Sequence, residues 1–475
     1  MTQSSTVAIV PVGSRTSAIS WLLLLTVTLV LCREFVGVGA ACASGATFVL
    51  SWWLVRKTTA LFNLRRVTIT GFWYLTYLAM IFLPAFFVFA DQEGPYRVSY
   101  LFAVHSALIT VPAGWLLAKW VCRFHEPENE RYFIGNVVDT GYIKRTRLDY
   151  LVLLIPSLML MILYIRSVGS IPLFFLLRNP GEYMQIALLR EDSFKLLDSP
   201  YIYAFALARS VFFPLLVMVS FGFYIQTRRK MWRNLFIGTV AAALFYCSLS
   251  VAKAPVAAIV AMLGFFYYYY RRGVIGRKVL AVFLIAVLLF PLAVTWLAYE
   301  GVPTNGAFYA IKTRLFYLPS EVVYYYFEIF PHTHGFLHGR SIDKFARLMG
   351  WVPFNTANYV GVYAVPNGLE SVSANAAFIA DLYADFGMTG VLMGGVAAGF
   401  VMQWFHIHAI RRKKTIVAIA LYSFLTYTFW FLNSNSLPIV LASNGAVLAL
   451  AISWWFDRRV SSITGPVGIS SFQPP

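Results

Sequence analysis

The chain has 475 residues, of which 59% are hydrophobic and only 12% charged, and its mean hydropathy is +0.69. That balance leaves no soluble domain large enough to bury its own core and describes a polytopic helical membrane protein. The net charge of +18 would suggest nucleic acid in a soluble protein, but basic residues at the cytoplasmic ends of membrane spans account for it, so no nucleic-acid partner is expected.

Residues 1 to 17 form a polar Ser/Thr-rich tail with Arg15 as its one charge. Apolar segments follow at 18–32, 35–55, 72–90, 99–121, 149–166, 200–226, 234–251, 254–270, 279–299, 387–406, 416–432 and 437–456, about twelve spans. The stretch from Trp21 to Cys32 resembles the core of a signal peptide, but the span that follows at once argues for an uncleaved first helix. The four cysteines, Cys32, Cys42, Cys122 and Cys247, lie in or beside apolar spans without metal-ligand or disulfide-framework spacing.

Charge tests this parse. The alternate loops holding Arg56 to Arg66, Arg123 to Arg147, Arg228 to Arg233, Arg271 to Lys278 and Arg411 to Lys414 carry most of the 38 Lys and Arg residues. The positive-inside rule puts these loops, and both termini, in the cytoplasm. The segment from Glu300 to Asn375 then faces outward, as does the shorter loop 167–199, where Pro172, Pro180 and Gly181 precede a short helix expected from Glu182 to Leu197. The chain reads as one transmembrane domain over 1–475 with extramembrane loops at 167–199 and 300–375.

Two cations fall where a bilayer makes them costly: Arg209, about nine residues into its span, and Lys253, in the near-apolar turn Ser248 to Pro255. Each should face a cavity, meet an anion, or snorkel to an interface. Lys119, near a cytoplasmic span end, snorkels.

In the long segment, Leu315 to Phe330 reads as an amphipathic helix with Glu321 and Glu328 on one face and Tyr324, Tyr325, Tyr326 and Phe327 covering the rest. Such a helix either rests at the headgroup level or offers rings for stacking on sugars. His332, His334 and His338 are separated by helix-breaking Gly335 and follow Pro331, so a proton-accepting role suits them better than zinc. Asp381 and Asp385 lie one helical turn apart before Gly387, an arrangement in which like charges repel unless a cation or a proton-transfer role uses them. The chain has no Asp-x-Asp pair, Gly-rich phosphate loop or serine-hydrolase elbow.

Four stretches resemble the O-antigen and oligosaccharide-repeat-unit polymerases of bacterial inner membranes. They are the Ser248–Lys253 turn; Lys312-Thr-Arg314 opening a helix; the run His334-Gly-Phe-Leu-His-Gly339-Arg340-Ser; and Ser373-Ala-Asn375 leading to Asp385-Phe-Gly387-Met-Thr-Gly390. Together they cover about residues 150 to 405, and Lys253 stands where that family commonly has arginine.

The resemblance implies an all-α bundle of about twelve transmembrane helices with one large periplasmic loop, similar to GT-C membrane glycosyltransferases. It also implies a metal-independent transfer, without cofactor, between undecaprenyl-pyrophosphate-linked glycans at the periplasmic face of the inner membrane, with a flippase and a chain-length regulator as partners. On that basis Arg209, Lys253, Arg314 and Arg340 are expected to hold the pyrophosphate, and Asp385, Glu328 or His334 to take the hydroxyl proton. An O-antigen ligase, or a lipid-linked oligosaccharide flippase, remains an alternative at this stage.

Overall fold

Inside a hydrocarbon layer every backbone N–H and C=O must be satisfied within the chain, and helices achieve this segment by segment. The computed structural model describes residues 14–58, 67–138, 144–273, 313–364 and 373–464, apart from 169, 252 and most of 180–198. Over these residues the regular structure is helical throughout.

In chain order the helices are α1 Ser14–Phe35, α2 Val38–Thr58, α3 Ile69–Asp91, α4 Arg97–Val121, α5 Glu126–Ile134, α6 Thr146–Ser167, α7 Pro172–Arg178 and α8 Tyr201–Thr227. They continue with α9 Lys230–Ser248, α10 Lys253–Tyr270, α11 Leu318–Ile329, α12 Asp343–Leu348, α13 Thr356–Ala364, α14 Phe378–Ile410, α15 Ile416–Asn433 and α16 Ile439–Phe456. Eight of them, α2, α3, α4, α6, α8, α14, α15 and α16, are long and apolar enough to cross a membrane. The expected spans 18–32, 234–251 and 254–270 coincide with α1, α9 and α10, whereas 279–299 lies outside the described residues. The helix expected from Glu182 to Leu197 also lies largely outside them, and Pro172 starts α7 rather than kinking a longer segment.

The centre of the bundle is the pair α4 and α14. A methyl group on Gly114 would run into the Val396 carbonyl, one on Gly395 into the Thr110 hydroxyl, and one on Gly399 into the Val111 carbonyl. Backbone therefore lies against backbone, the approach that small residues spaced four apart permit in membranes, where dispersion rather than hydrophobic exclusion drives helix pairing. Around this pair lies a large core, while Tyr164, Phe205, Phe213, Tyr246 and Ile259 of α6, α8, α9 and α10 form a second apolar cluster beside it.

Wide turns recur ahead of prolines. Leu78–Phe82 in α3, Ala208–Phe212 in α8 and Thr313–Tyr317 before α11 are each π-helical and each precede, by two residues, Pro84, Pro214 and Pro319. A proline has no N–H for the carbonyl four residues back and its ring crowds that carbonyl, so an extra residue in the preceding turn relieves both problems. The N–H groups of Leu83 and Phe213 reach back five residues, to Leu78 O and Ala208 O. Arg209 lies in the second of these turns.

Helix α11 departs from the surface helix suggested by its pattern. Ser320, Val323, Tyr324, Tyr326, Phe327 and Ile329 are buried, and the helix wedges against α3, α4, α13 and α14. Ser320 Oγ donates to Ile81 O at 2.8 Å inside the wide turn of α3 and lies 2.6 Å from the Tyr100 hydroxyl. The rings of Tyr324, Phe327 and Tyr326 are thus core, which removes them as an open stacking platform. At the opposite end of the bundle, Arg411 binds Glu128 at 2.7 Å and the carbonyls of Cys122 and Arg123, pinning α5 beneath the end of α14.

Two stability outcomes follow from this packing. Gly399→Ala, by overpacking the α4–α14 contact, is expected to cost about 1–3 kcal/mol and lower the thermal unfolding midpoint of the detergent-solubilised protein. Gly238→Ala, with nothing within 4 Å of the added methyl group, should not lower that midpoint. Burial raises the carboxyl of Glu321 above its ordinary 4.5; nearby Asp91 adds to the rise and the Tyr325 hydroxyl opposes it. A raised carboxyl favours the fold below 4.5 and loses that contribution as pH rises through its folded value. Glu321→Gln should therefore match the wild type near pH 4 and unfold at a higher temperature at pH 7, as read by melting curves at the two pH values.

Candidate functional site

The first turns of α14 carry two carboxylates, and a break in the helix sets their separate surroundings. Gly387 has φ 64° and ψ −155°, a conformation open essentially to glycine alone. Phe336 packs over it. The carbonyls of Ala384 and Asp385, which a continuous helix would give to Met388 and Thr389, accept instead from the N–H groups of Leu337 and His338 at 2.9 Å. The segment that follows α11 is thus stitched, backbone to backbone, into the broken helix.

Asp385 completes this junction. Its Oδ1 accepts from Gly339 N at 3.0 Å and Ser341 N at 3.3 Å, and its Oδ2 from the Ser341 hydroxyl at 2.5 Å. The side chain is buried, and its hydrogen bonds hold the turn around Arg340. Arg340 in turn donates Nε to Val352 O at 3.2 Å, and its carbonyl accepts from Phe354 N at 2.9 Å. Residues 337–357 therefore fold back on themselves as a compact cap.

Beneath that cap is a cleft of about 330 Å³, which one turn of helix separates from Asp385. It is bounded by Ser341 and Asp343 of the cap, the entry to α13 at Asn355 and Thr356, the approach to α14 at Asn375, Asp381 of α14, and the turn Ser434-Asn435-Ser436 between α15 and α16. The rings of Tyr326 and Phe354 contribute apolar walls. Backbone ties fix these edges: Ala374 N donates to Ala357 O at 2.9 Å, and the Tyr326 hydroxyl to Ala374 O at 3.3 Å. Asp381 also sits in the first turn of α14. Thr356 Oγ1 is buried and has no hydrogen-bond partner among the described residues.

A second cavity, of about 130 Å³, lies among the spans at Arg209, Ser210, Tyr427, Thr428 and Asn444, with Pro255 and Phe431 among its apolar walls. Arg209 Nη1 donates to Ser250 Oγ at 3.3 Å, across to the turn between α9 and α10. The segment from Phe431 to Asn444 walls both cavities, since Ser434, Asn435, Ser436 and Ile439 line the first, and Phe431 and Asn444 the second.

The expected site residues are therefore dispersed. Arg209 occupies an intramembrane cavity, Asp385 and Arg340 belong to the cap junction, and Arg314 is exposed in the wide turn before α11. Lys253 begins α10, with its side chain outside the described residues. Glu328 accepts from the Tyr363 hydroxyl at 3.3 Å, and His334 lies in an aromatic cluster with Phe330, Phe354 and Tyr359, its Nδ1 2.7 Å from Gly335 O. His332 instead stacks on Tyr96. Among the described residues no three His, Cys, Asp or Glu side chains come together as a metal-binding group.

The polar residues that line the cleft, Ser341, Asn355, Thr356, Asn375 and Ser434 to Ser436, come from four separate loops. The one local sign of them is the polar run Asn433-Ser-Asn-Ser in so short a connection between apolar spans. Compared with protein-family models, curated proteins and solved structures, the chain matches none of them.

Gly387→Ala places a side chain on a glycine-only backbone and is expected to cost about 1–3 kcal/mol at the junction. Hydrogen exchange over residues 336–345 should accelerate more in this variant than over α15, because the break holds the cap and not the bundle centre.

Proposed function

We propose that the chain is a metal-independent membrane glycosyltransferase that joins undecaprenyl-pyrophosphate-linked oligosaccharide repeat units into a polysaccharide at the periplasmic face of a bacterial inner membrane. The observation that carries this reading is the pairing of two unlike cavities across one short segment. A cleft of amides, hydroxyls and a carboxylate suits a glycan, and an arginine-bearing cavity among the spans suits the anionic end of a lipid carrier. The reading takes its reaction from the resemblance of residues 334–341 and 373–390 to repeat-unit polymerases.

In this mechanism a hydroxyl of the acceptor repeat unit attacks the anomeric carbon of the donor chain. The new glycosidic C–O bond forms as the bond to pyrophosphate breaks, and its electron pair leaves with undecaprenyl pyrophosphate. Arg209 stabilises the charge that develops on the departing group without a metal ion. Lys253, at the start of α10, and the exposed Arg314 are the further cations that the resemblance implies for the pyrophosphate. The proton of the attacking hydroxyl passes to Asp381, the carboxylate on the cleft. Asp385, placed first by sequence, is a positioning residue, because its lone pairs already hold Gly339 and Ser341; Arg340 belongs to the same turn. Glu328 and His334 are less suited to the proton, one engaged by Tyr363 and the other packed against Phe330, Phe354 and Tyr359.

Asp381→Asn is expected to lower the polymerisation rate by about 10²-fold or more, and Arg209→Ala to shorten the polymer, with membrane levels of both proteins unchanged. The readout is polymer length from vesicles supplied with lipid-linked repeat units. Long chains at the wild-type rate from Asp381→Asn would remove its role, and normal chains from Arg314→Ala would exclude that arginine as essential. Transfer to lipid A core without any polymer would replace the polymerase reading by a ligase.

A further inference from the structure

The cleft beneath the cap contains three amide side chains, Asn355, Asn375 and Asn435, and two carboxylates, Asp343 and Asp381. Its described lining has no lysine, arginine or histidine. The chain itself engages the carbonyl ends of two of the amides: Asn355 Oδ1 accepts from Asn358 N at 3.1 Å, and Asn375 Oδ1 from the Ser373 hydroxyl at 3.1 Å. That leaves their NH₂ ends as donors, with the carboxylates as acceptors. Thr356 adds a further polar residue to the lining.

A ligand matched to this set needs hydroxyl groups that both donate and accept, and an apolar edge to lie against Phe354. A sugar ring has both, and about 330 Å³ is at the lower end of the range for small-molecule sites. The charge decides which sugar. Amide donors alone would accept an acidic sugar as readily as a neutral one. Two carboxylates in the same lining repel a third, and Asp343 is only partly neutralised by its exposed pair with Arg347 at 3.1 Å.

We infer that this cleft is the acceptor subsite and that it selects a neutral or amino sugar and rejects a uronic acid. The assignment as acceptor subsite rests on the polymerase reading; the sugar selectivity rests on the lining alone.

The test is saturation-transfer NMR on the full chain in nanodiscs, with methyl glucoside, methyl glucosaminide and methyl glucuronide as probes at neutral pH. The neutral and amino glycosides are expected to bind at least about fivefold more strongly than the glucuronide. Asp343→Asn with Asp381→Asn should bring the glucuronide up to the level of the glucoside, and exposed Asp343→Asn alone should recover part of that gain should the double variant fail to fold. Equal binding of glucuronide and glucoside to the wild type would overturn the proposal. So would the absence of any glycoside signal, or a glucuronide signal that neither substitution raises. Because binding is read without turnover, a chain that shows this selectivity but makes no polymer loses the polymerase function and keeps the subsite. One that makes polymer without the selectivity does the reverse.

Discussion

The close approach of α4 and α14 is the contact on which the rest of the arrangement depends. With Gly114, Gly395 and Gly399 facing the seam, the two helices come into close contact around residues 110–114 of α4 and 395–400 of α14. That fixes α14 rigidly against α4, and both ends of α14 then serve as platforms. One end holds Arg411 over Glu128 and the carbonyls of Cys122 and Arg123. The other carries Asp381 and Asp385. Helix α4 contributes Tyr100, whose hydroxyl meets Ser320 and so sets the depth of α11. A slip at the glycine seam would therefore displace the cap and the wedge beneath it together.

The break at Gly387 converts that rigid helix into a socket. A continuous helix consumes its own carbonyls, and an extramembrane loop can then reach it only through side chains. Once Gly387 turns aside, the Ala384 and Asp385 carbonyls become available, and Leu337 and His338 take them. The buried Asp385 carboxylate answers three further donors from the same turn. Satisfying polar groups away from water is obligatory rather than optional, so the cap is held by the requirement that the break itself creates.

The two cavities show opposite electrostatics for a related reason. An arginine among spans is tolerated where hydroxyl and amide partners line a cavity, as Ser250 does directly for Arg209. The cap cleft has the reverse composition, with carboxylates and no cation in its described lining. The Phe431–Asn444 segment lines both cavities, and in the proposed transfer it would lie between the polyanionic leaving group and the neutral nucleophile.

Much of the bundle was legible in order. Hydropathy marked the spans, because twenty apolar residues in a row have few other uses, and Pro331, Gly335 and Gly339 marked the turn after α11. Asp381 and Asp385 stood out as a pair one turn apart. Hydropathy could not show that α11 is buried, since Tyr324 and Tyr326 suit an interface as well as a core, and only the packing of Ser320 on Ile81 decides it. Nor could the residues reveal which aspartate is free. Asp385 becomes a structural anchor because the cap returns from more than forty residues away to bond it, and the cleft exists because four loops distant in sequence converge on Asp381. One-dimensional pattern determined the helices, which are local; tertiary closure alone decided the site, because its hydrogen bonds join groups that no periodicity relates.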